Sequence, residues 1–335
     1  MIRMKINNSQ NFNDSMKEIT ITDIQGIKIG HSQNFKAATG CTVVLCENGA
    51  VAGVDVRGGA PASRETELLN PVNMIEQIHA VVLSGGSAFG LDSASGVMEY
   101  LEENKIGFDV QITRVPIVCA ASLFDLYIGD WRIRPDKKMG YEACRNATIE
   151  KSPEGNIGAG TGASVGKILG MERAMKSGLG IYGLQIGELK VASIVAVNCL
   201  GDVLDPDSQE KVAGLLDETR TKIIDTEEVI YKNFKNKKNL FSSNTTIGVV
   251  ATNGKFTKAQ INKIASMSHN GFARTIRPTH SMYDGDTVFA VSTCEADADI
   301  NTVGSLAAFT MAKAIFRAAT LAEGRYGLKA SRDLR

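Results

Sequence analysis

The sequence predicts an α+β fold with much antiparallel sheet. Two observations carry that expectation. Short apolar, β-branched runs come in pairs about glycine-containing turns: residues 41–45 and 51–56 about Asn48-Gly49, and residues 178–186 and 190–198 about Gly187-Glu188. Longer stretches with apolar residues three and four apart, at 257–273 and 303–321, read as helices. Paired strands with helices packed outside them give a layered α+β architecture.

The elements follow in order. Residues 1–18 are polar and Asn-rich, with no apolar core of signal-peptide length, and are expected to be a loose tail. Residues 19–29 read as a short strand with a glycine turn. Asn-Gly is the strongest short hairpin signal, so 41–45 and 51–56 are expected to be the two arms of a hairpin. Residues 78–83 form a buried strand running into Ser84-Gly85-Gly86-Ser87 and a helix over 90–103. A strand is expected at 110–120, a short helix at 140–147 and another helix at 207–218. Residues 222–243, with Lys232, Lys235, Lys237 and Lys238, read as a solvated loop. Then come a strand at 246–252, a helix at 257–273 with Thr257 as N-cap, a strand at 287–292 and an apolar-faced helix at 303–321.

The 335 residues allow one large domain or two ordinary ones. Hydrophobic residues make up 43% and charged residues 22%, which is ordinary globular material. With 37 acidic and 37 basic residues the formal charge is zero, so nothing calls for nucleic acid or an anionic membrane as partner. No run of about 18 apolar residues marks a transmembrane helix. Six scattered cysteines without a Cys-x-x-Cys pair are expected to be free thiols in a reducing compartment, hence a cytoplasmic protein. His31, His79, His269 and His280 show neither metal spacing nor an acid partner; they are expected to be structural, with no metal and no cofactor.

Several segments can carry chemistry. Gly158-Ala159-Gly160-Thr161-Gly162-Ala163 fits a dinucleotide pattern, but the polar residues 151–156 before it are no strand, so a glycine-rich strand whose backbone lets another group come close is the better account. Ser87 sits at a strand-to-helix turn, although Phe89 breaks the nucleophile-elbow spacing. Lys167 lies among apolar residues and glycines, where a lysine needs a partner, and an aspartate would serve. Asn198 interrupts an apolar strand, where an inward amide can donate to an oxyanion. Asp284 and Asp286, two residues apart on entering a strand, can point to one side. The bond between Asn244 and Thr245 separates a polar stretch from a buried strand. If the chain breaks there, Thr245 gains a free amine that can act as base for its own hydroxyl.

In combination these segments resemble the DmpA-type self-processing N-terminal-nucleophile hydrolases, a group that includes L-aminopeptidase/D-esterases, β-peptidyl aminopeptidases and nylon-oligomer hydrolases. The resemblance runs from Ile21 to Thr320. It rests on Gly26-Ile27-Lys28-Ile29-Gly30-His31, Val56-Arg57-Gly58-Gly59-Ala60-Pro61, Leu83-Ser84-Gly85-Gly86-Ser87-Ala88-Phe89-Gly90-Leu91-Asp92 and Arg134-Pro135-Asp136. It continues through Gly158 to Ala163, Asn244-Thr245-Thr246-Ile247 and Asp284-Gly285-Asp286-Thr287-Val288-Phe289-Ala290.

The resemblance implies a four-layer αββα sandwich as a single catalytic domain. It also implies self-cleavage into a large chain, 1–244, and a small chain, 245–335, that stay together. Thr245 would be the nucleophile of cleavage and catalysis, Asn198 the oxyanion donor, and Lys167, Asp284 and Asp286 the surrounding lysine and acids of the nylon-oligomer branch. The aminopeptidase branch has Ser and Glu where this chain has Asp284 and Asp286. Ser87 and Phe124 are candidate substrate contacts. Small peptides or aminohexanoate oligomers are the implied substrates, and a homo-oligomer of processed heterodimers, tetrameric or larger, the implied assembly. The alternatives are an acyltransferase resembling ornithine acetyltransferase and a non-catalytic small-molecule binding protein.

Overall fold

The computed structural model describes residues 16–234 and 244–334. Ten strands form one mixed sheet: β1 (Met16–Ile19), β2 (Lys28–Asn34), β3 (Thr39–Val56), β4 (Ser63–Arg64), β5 (Gln77–Ser84), β6 (Val118–Ser122), β7 (Leu179–Ile186), β8 (Leu189–Asn198), β9 (Thr245–Gly254) and β10 (Thr287–Ala296). Their order is β1-β7-β8-β9-β10-β3-β5-β6-β4, with β2 paired to β3. Neighbours run antiparallel except β9–β10 and β5–β6, which are parallel.

The sheet folds over on itself along β3. Residues 39–45 of that strand pair with β2, and residues 51–56 pair with β10. The register with β5 slips between Leu45 and Ala50, where Gly49 adopts φ +82°. The expected hairpin is therefore a correction: 39–56 is one bent strand. Asn-Gly did mark a left-handed residue, but glycine at positive φ serves a bulge as well as a turn.

Side-chain alternation then builds four layers. Val44, Val81 and Leu83 from one half of the sheet meet Ile194, Ile247, Val249, Phe289 and Val291 from the other in an apolar inter-sheet core. The opposite faces are also covered. Val43, Leu45, Ala80 and Val82 pack under α1 (Ser93–Glu103) and α2 (Lys137–Arg145). Val195, Val197, Val250 and Val288 pack under α4 (Lys258–Thr275) and α5 (Ile300–Thr320). Three cores separate four layers, helix, sheet, sheet, helix, which is the αββα arrangement.

Thr257 caps α4, accepting from Gln260 N–H, and the Gln260 side chain reciprocates. The remaining elements differ from expectation in detail. Residues 16–18 belong to β1. The expected strand at 110–120 is confined to β6, because Pro116 precedes it and residues 108–115 make a separate two-residue ribbon. Residues 207–218 are not helical: Lys211–Ala213 pairs with Asp202–Leu204. Val212, Leu215 and Leu216 have helical spacing, but Gly214 lies against the Asp202 carboxylate, which accepts from Leu215 N–H at 3.0 Å. The polar stretch 222–243 contains a short helix, α3 (Thr226–Lys232), and its last nine residues lie outside the described ones. All six cysteines are free thiols.

Candidate active site

The antiparallel ladder between β8 and β9 places Asn198 directly opposite Thr245. The parallel ladder between β9 and β10 pairs Ile247 with Thr287, which carries residues 284–286 to the head of β9. Sheet register alone thus gathers three of the sequence candidates around the Asn244–Thr245 peptide.

That peptide is buried and held by its neighbours on both sides. Asn244 N–H donates to Tyr283 O at 3.0 Å, and Gly285 N–H donates to Asn244 O at 3.1 Å, forming a one-residue parallel bridge. The same Gly285 N–H lies 3.1 Å from Thr245 Oγ1, and the Thr245 hydroxyl donates to the Asn244 carbonyl oxygen. A hydroxyl, the carbonyl preceding it and one backbone donor therefore converge. A Cβ on residue 285 would lie 2.7 Å from Thr245 Oγ1 and 2.8 Å from Ala60 O, so only glycine leaves room.

The two acids have separate tasks. Asp286 accepts Thr246 N–H at 2.8 Å with Oδ1; with Oδ2 it accepts Thr279 Oγ1, His280 N–H and His280 Nδ1, at 2.9–3.1 Å. Asp284 accepts the Ser281 N–H and hydroxyl with Oδ2, at 2.8 and 2.5 Å. Its Oδ1 is buried with no hydrogen-bond partner among the described residues. Burial, and then the charge of Asp286, push the Asp284 carboxyl up to about 6. The loop 57–60 after β3 clamps this corner: Arg57 and Gly58 N–H donate to Asp286 O, and Ala60 N–H donates to Asp284 O.

Lys167 is buried, and its Nζ donates to Asn198 O at 2.9 Å. No carboxylate forms an ion pair with it among the described residues, so the expected aspartate partner is replaced by a backbone carbonyl. Burial pulls the ammonium down to about 7, against the opposing pull of Cys199, Asp284, Asp125 and Asp286. The Asn198 amide is fixed at both ends: Oδ1 accepts Ser164 N–H at 3.1 Å, and Nδ2 donates to Phe124 O at 2.9 Å. One Nδ2 hydrogen is left over, because a primary amide carries two.

Phe124 therefore enters through its carbonyl, while its ring packs 5.1 Å from Tyr127. Ser87, at φ +57°, joins the same corner through its backbone, donating N–H to Leu123 O at 2.9 Å. Residues 158–160 form a 3₁₀ turn, not a strand, and the loop is gripped from beneath by Lys176. That fully buried lysine donates to Gly160 O, Ala163 O and Ser177 O at once. Its bond to Ala163 O anchors the chain one residue before Ser164, the partner of Asn198. Lys176→Met removes one donor from each of three carbonyls, although Gly160 O keeps Ala163 N–H and Ala163 O keeps Ser177 N–H, and is expected to cost about 3 kcal/mol, read as a lower urea midpoint.

Sequence reasoning missed His280, Gly285, Ser164 and Asp125. The expectation that His280 lacks an acid partner is corrected by its contact with Asp286. The two are six residues apart across a turn, a separation that neither helical nor strand periodicity brings together. Asp125, fully buried, accepts Gly86 N–H and Thr39 Oγ1, each at 2.7 Å, and burial raises it to about 6 against those bonds and the Lys176 charge. His31 behaves as expected: it is bonded to Thr42 and Ser152, and burial lowers it to about 4, so it is neutral.

The chain and its fold have counterparts. Residues 20–332 match peptidase family S58, so the chain belongs to that family and is a hydrolase of peptide or amide bonds. An uncharacterized aminopeptidase of Mycobacterium bovis is 37% identical, the match covering 94% of this chain and 97% of that protein. A 6-aminohexanoate-oligomer endohydrolase of Agromyces sp. is 30% identical, over 84% of this chain and 77% of the relative. Among solved structures, the L-aminopeptidase D-Ala-esterase/amidase of Ochrobactrum anthropi, described as a new variant among the Ntn hydrolase fold, aligns with a TM-score of 0.66 at 16% identity. That alignment covers 90% of this chain and 85% of the other. A Burkholderia sp. beta-aminopeptidase aligns at 0.65 and 18% identity, over 94% and 92% of the two chains.

Proposed function

We propose that this chain cleaves itself between Asn244 and Thr245 and then hydrolyses amide bonds of small peptides or aminohexanoate oligomers through an acyl-enzyme on Thr245. The observation that carries the reading is the shared donor. Gly285 N–H holds both the Thr245 hydroxyl oxygen and the Asn244 carbonyl oxygen, so nucleophile and target are already in register.

In the uncut chain Thr245 Oγ1 attacks the Asn244 carbonyl carbon. The C–O bond forms, the C–N bond breaks, and the hydroxyl proton passes to the departing Thr245 nitrogen. Lys167 and Asp284, which titrate near 7 and 6, are the groups that relay it. Water then hydrolyses the ester, leaving an Asn244 carboxylate and a free Thr245 amine. That amine, ordinarily near 7.7–8.0, becomes the base for its own hydroxyl. A substrate amide repeats the sequence, with Asn198 Nδ2–H and Gly285 N–H on the oxyanion.

Relatives named aminopeptidase and 6-aminohexanoate-oligomer endohydrolase support an amide substrate. The processed chains 1–244 and 245–335 form one catalytic domain and assemble into a homo-oligomer, tetrameric or larger, in the cytoplasm. Among the described residues no helix is long and apolar enough to cross a membrane.

The test is a denaturing gel with intact mass of the purified protein. Two chains joining at 244/245 are expected; a chain that stays whole yet hydrolyses amides rules the mechanism out. Self-cleavage is also expected to be slow below pH 6 and to accelerate between pH 6 and 7. Over that interval Asp284 loses its proton and Lys167 begins to, and each loss creates a base. A gel time course of freshly synthesised chain across pH 5–8 checks the sign.

A further inference from the structure

A cavity of about 580 Å³ adjoins the site, and the mechanism above does not use it. Its walls grow directly from the catalytic segments. Ile168 follows Lys167, Leu200 lies two residues after Asn198, and Tyr283 precedes Asp284. The outer wall is α3, through Val229 and Ile230, with Pro278 closing one side. Ile168 and Leu200 are 4% and 3% exposed and pack with Leu215 into a small apolar cluster that Val229 and Ile230 cover. Among the described residues, none that lines it carries a charge.

The side of the scissile bond that this cavity serves follows from the uncut chain. Asn244, the acyl-side residue of self-cleavage, donates its N–H to Tyr283 O, and Tyr283 is a wall of the cavity. A substrate acyl group that takes the place of Asn244 is therefore led along the same wall. The volume lies within the 300–1,000 Å³ of ordinary ligand pockets. The described lining is uncharged and mostly apolar, with Asn233, Ser281 and Tyr283 its polar members, so it offers no counter-charge to an ammonium or carboxylate deep inside.

We propose that this cavity is an acyl-side subsite that takes an unbranched, uncharged hydrocarbon segment several methylenes long, and so selects amides of medium-chain aliphatic acids over those of short ones. The proposal rests on the amidase reading but has its own readouts. With the self-cleaved protein, kcat/KM for acetyl, butanoyl and hexanoyl p-nitroanilides is expected to rise about fourfold per methylene. Ile230→Trp and Val229→Phe fill the cavity without touching Thr245, Lys167, Asn198, Asp284 or Asp286. Each is expected to lower kcat/KM for the hexanoyl anilide at least about tenfold, to leave the acetyl anilide within about twofold, and to leave self-cleavage unchanged. Calorimetric titration with hexanamide and acetamide reads the cavity without turnover: hexanamide should bind more tightly, and Ile230→Trp should remove the difference.

A flat chain-length series overturns the proposal, as does an equal loss on acetyl and hexanoyl substrates. Pocket-filling variants that slow only self-cleavage also overturn it, since the cavity would then serve the chain's own end. Selective hexanamide binding that Ile230→Trp abolishes, with no anilide cleaved, upholds the subsite and sinks the amidase reading instead.

Discussion

Thr245→Ala is expected to yield a folded chain that stays in one piece and turns over no amide, at least about 10⁴-fold below wild type. The size of the effect follows from one residue serving three times. In the mechanism proposed above its hydroxyl is the attacking atom of self-cleavage, its nitrogen the leaving group of that step, and its freed amine the base afterwards. Removing the hydroxyl stops the first event, so the amine never appears. The fold should survive. Gly285 N–H keeps its bond to Asn244 O, β9 keeps its register with β8 and β10, and the small void left by Oγ1 and one methyl group lies at a strand end. Circular dichroism and a urea midpoint within about 2 kcal/mol of wild type would show this. Thr245→Ser separates chemistry from packing: it retains the hydroxyl and amine and is expected to cleave, more slowly. An uncut Thr245→Ala protein that still hydrolyses amides would move the nucleophile elsewhere.

What the sequence revealed and what it hid divide along a physical line. The strand over 246–252, the pair 178–186 and 190–198, and the Thr257-capped helix were legible because their signals are local: alternation, helical spacing and a cap three residues from its partner. The pairing of Asn198 with Thr245 was not local, yet it follows once β8 and β9 are known to be neighbours, since register fixes which residues face each other. Gly49 shows the limit of a local signal. It announced positive φ but not whether the chain would reverse or merely bend, and the long β3 that joins both layers depends on that choice. Gly285 and His280 were hidden for a different reason. A glycine's value lies in what a Cβ would strike, here Thr245 Oγ1 and Ala60 O, and a histidine's lies in the carboxylate that a turn brings to it. Lys176 and Asp125 belong to no sequence motif; only the folded chain supplies the carbonyls, hydroxyl and N–H groups that make their burial tolerable.

Asn198→Ala is expected to lower kcat about 10²- to 10³-fold while leaving the substrate KM nearly unchanged. The argument begins with the hydrogen-bond count of the amide. Oδ1 is committed to Ser164 N–H and one Nδ2 hydrogen to Phe124 O, so the group cannot rotate and its last hydrogen has a fixed direction. A donor held in place before the reaction costs no reorganisation when charge develops on the carbonyl oxygen, which is why it acts on the transition state more than on the bound substrate. Activity should not vanish, because Gly285 N–H, which donates to the Asn244 carbonyl in the uncut chain, remains as a donor. The substitution also strands Ser164 N–H and Phe124 O, for about 2 kcal/mol of lost stability, and that loss must be measured separately by denaturant unfolding. Asn198→Asp keeps an acceptor for Ser164 but replaces the donor by a carboxylate. It should therefore be at least as inactive as alanine despite preserving side-chain volume. If Asn198→Asp instead retained near-normal kcat, the amide would be a structural strut and the oxyanion would rest on Gly285 alone.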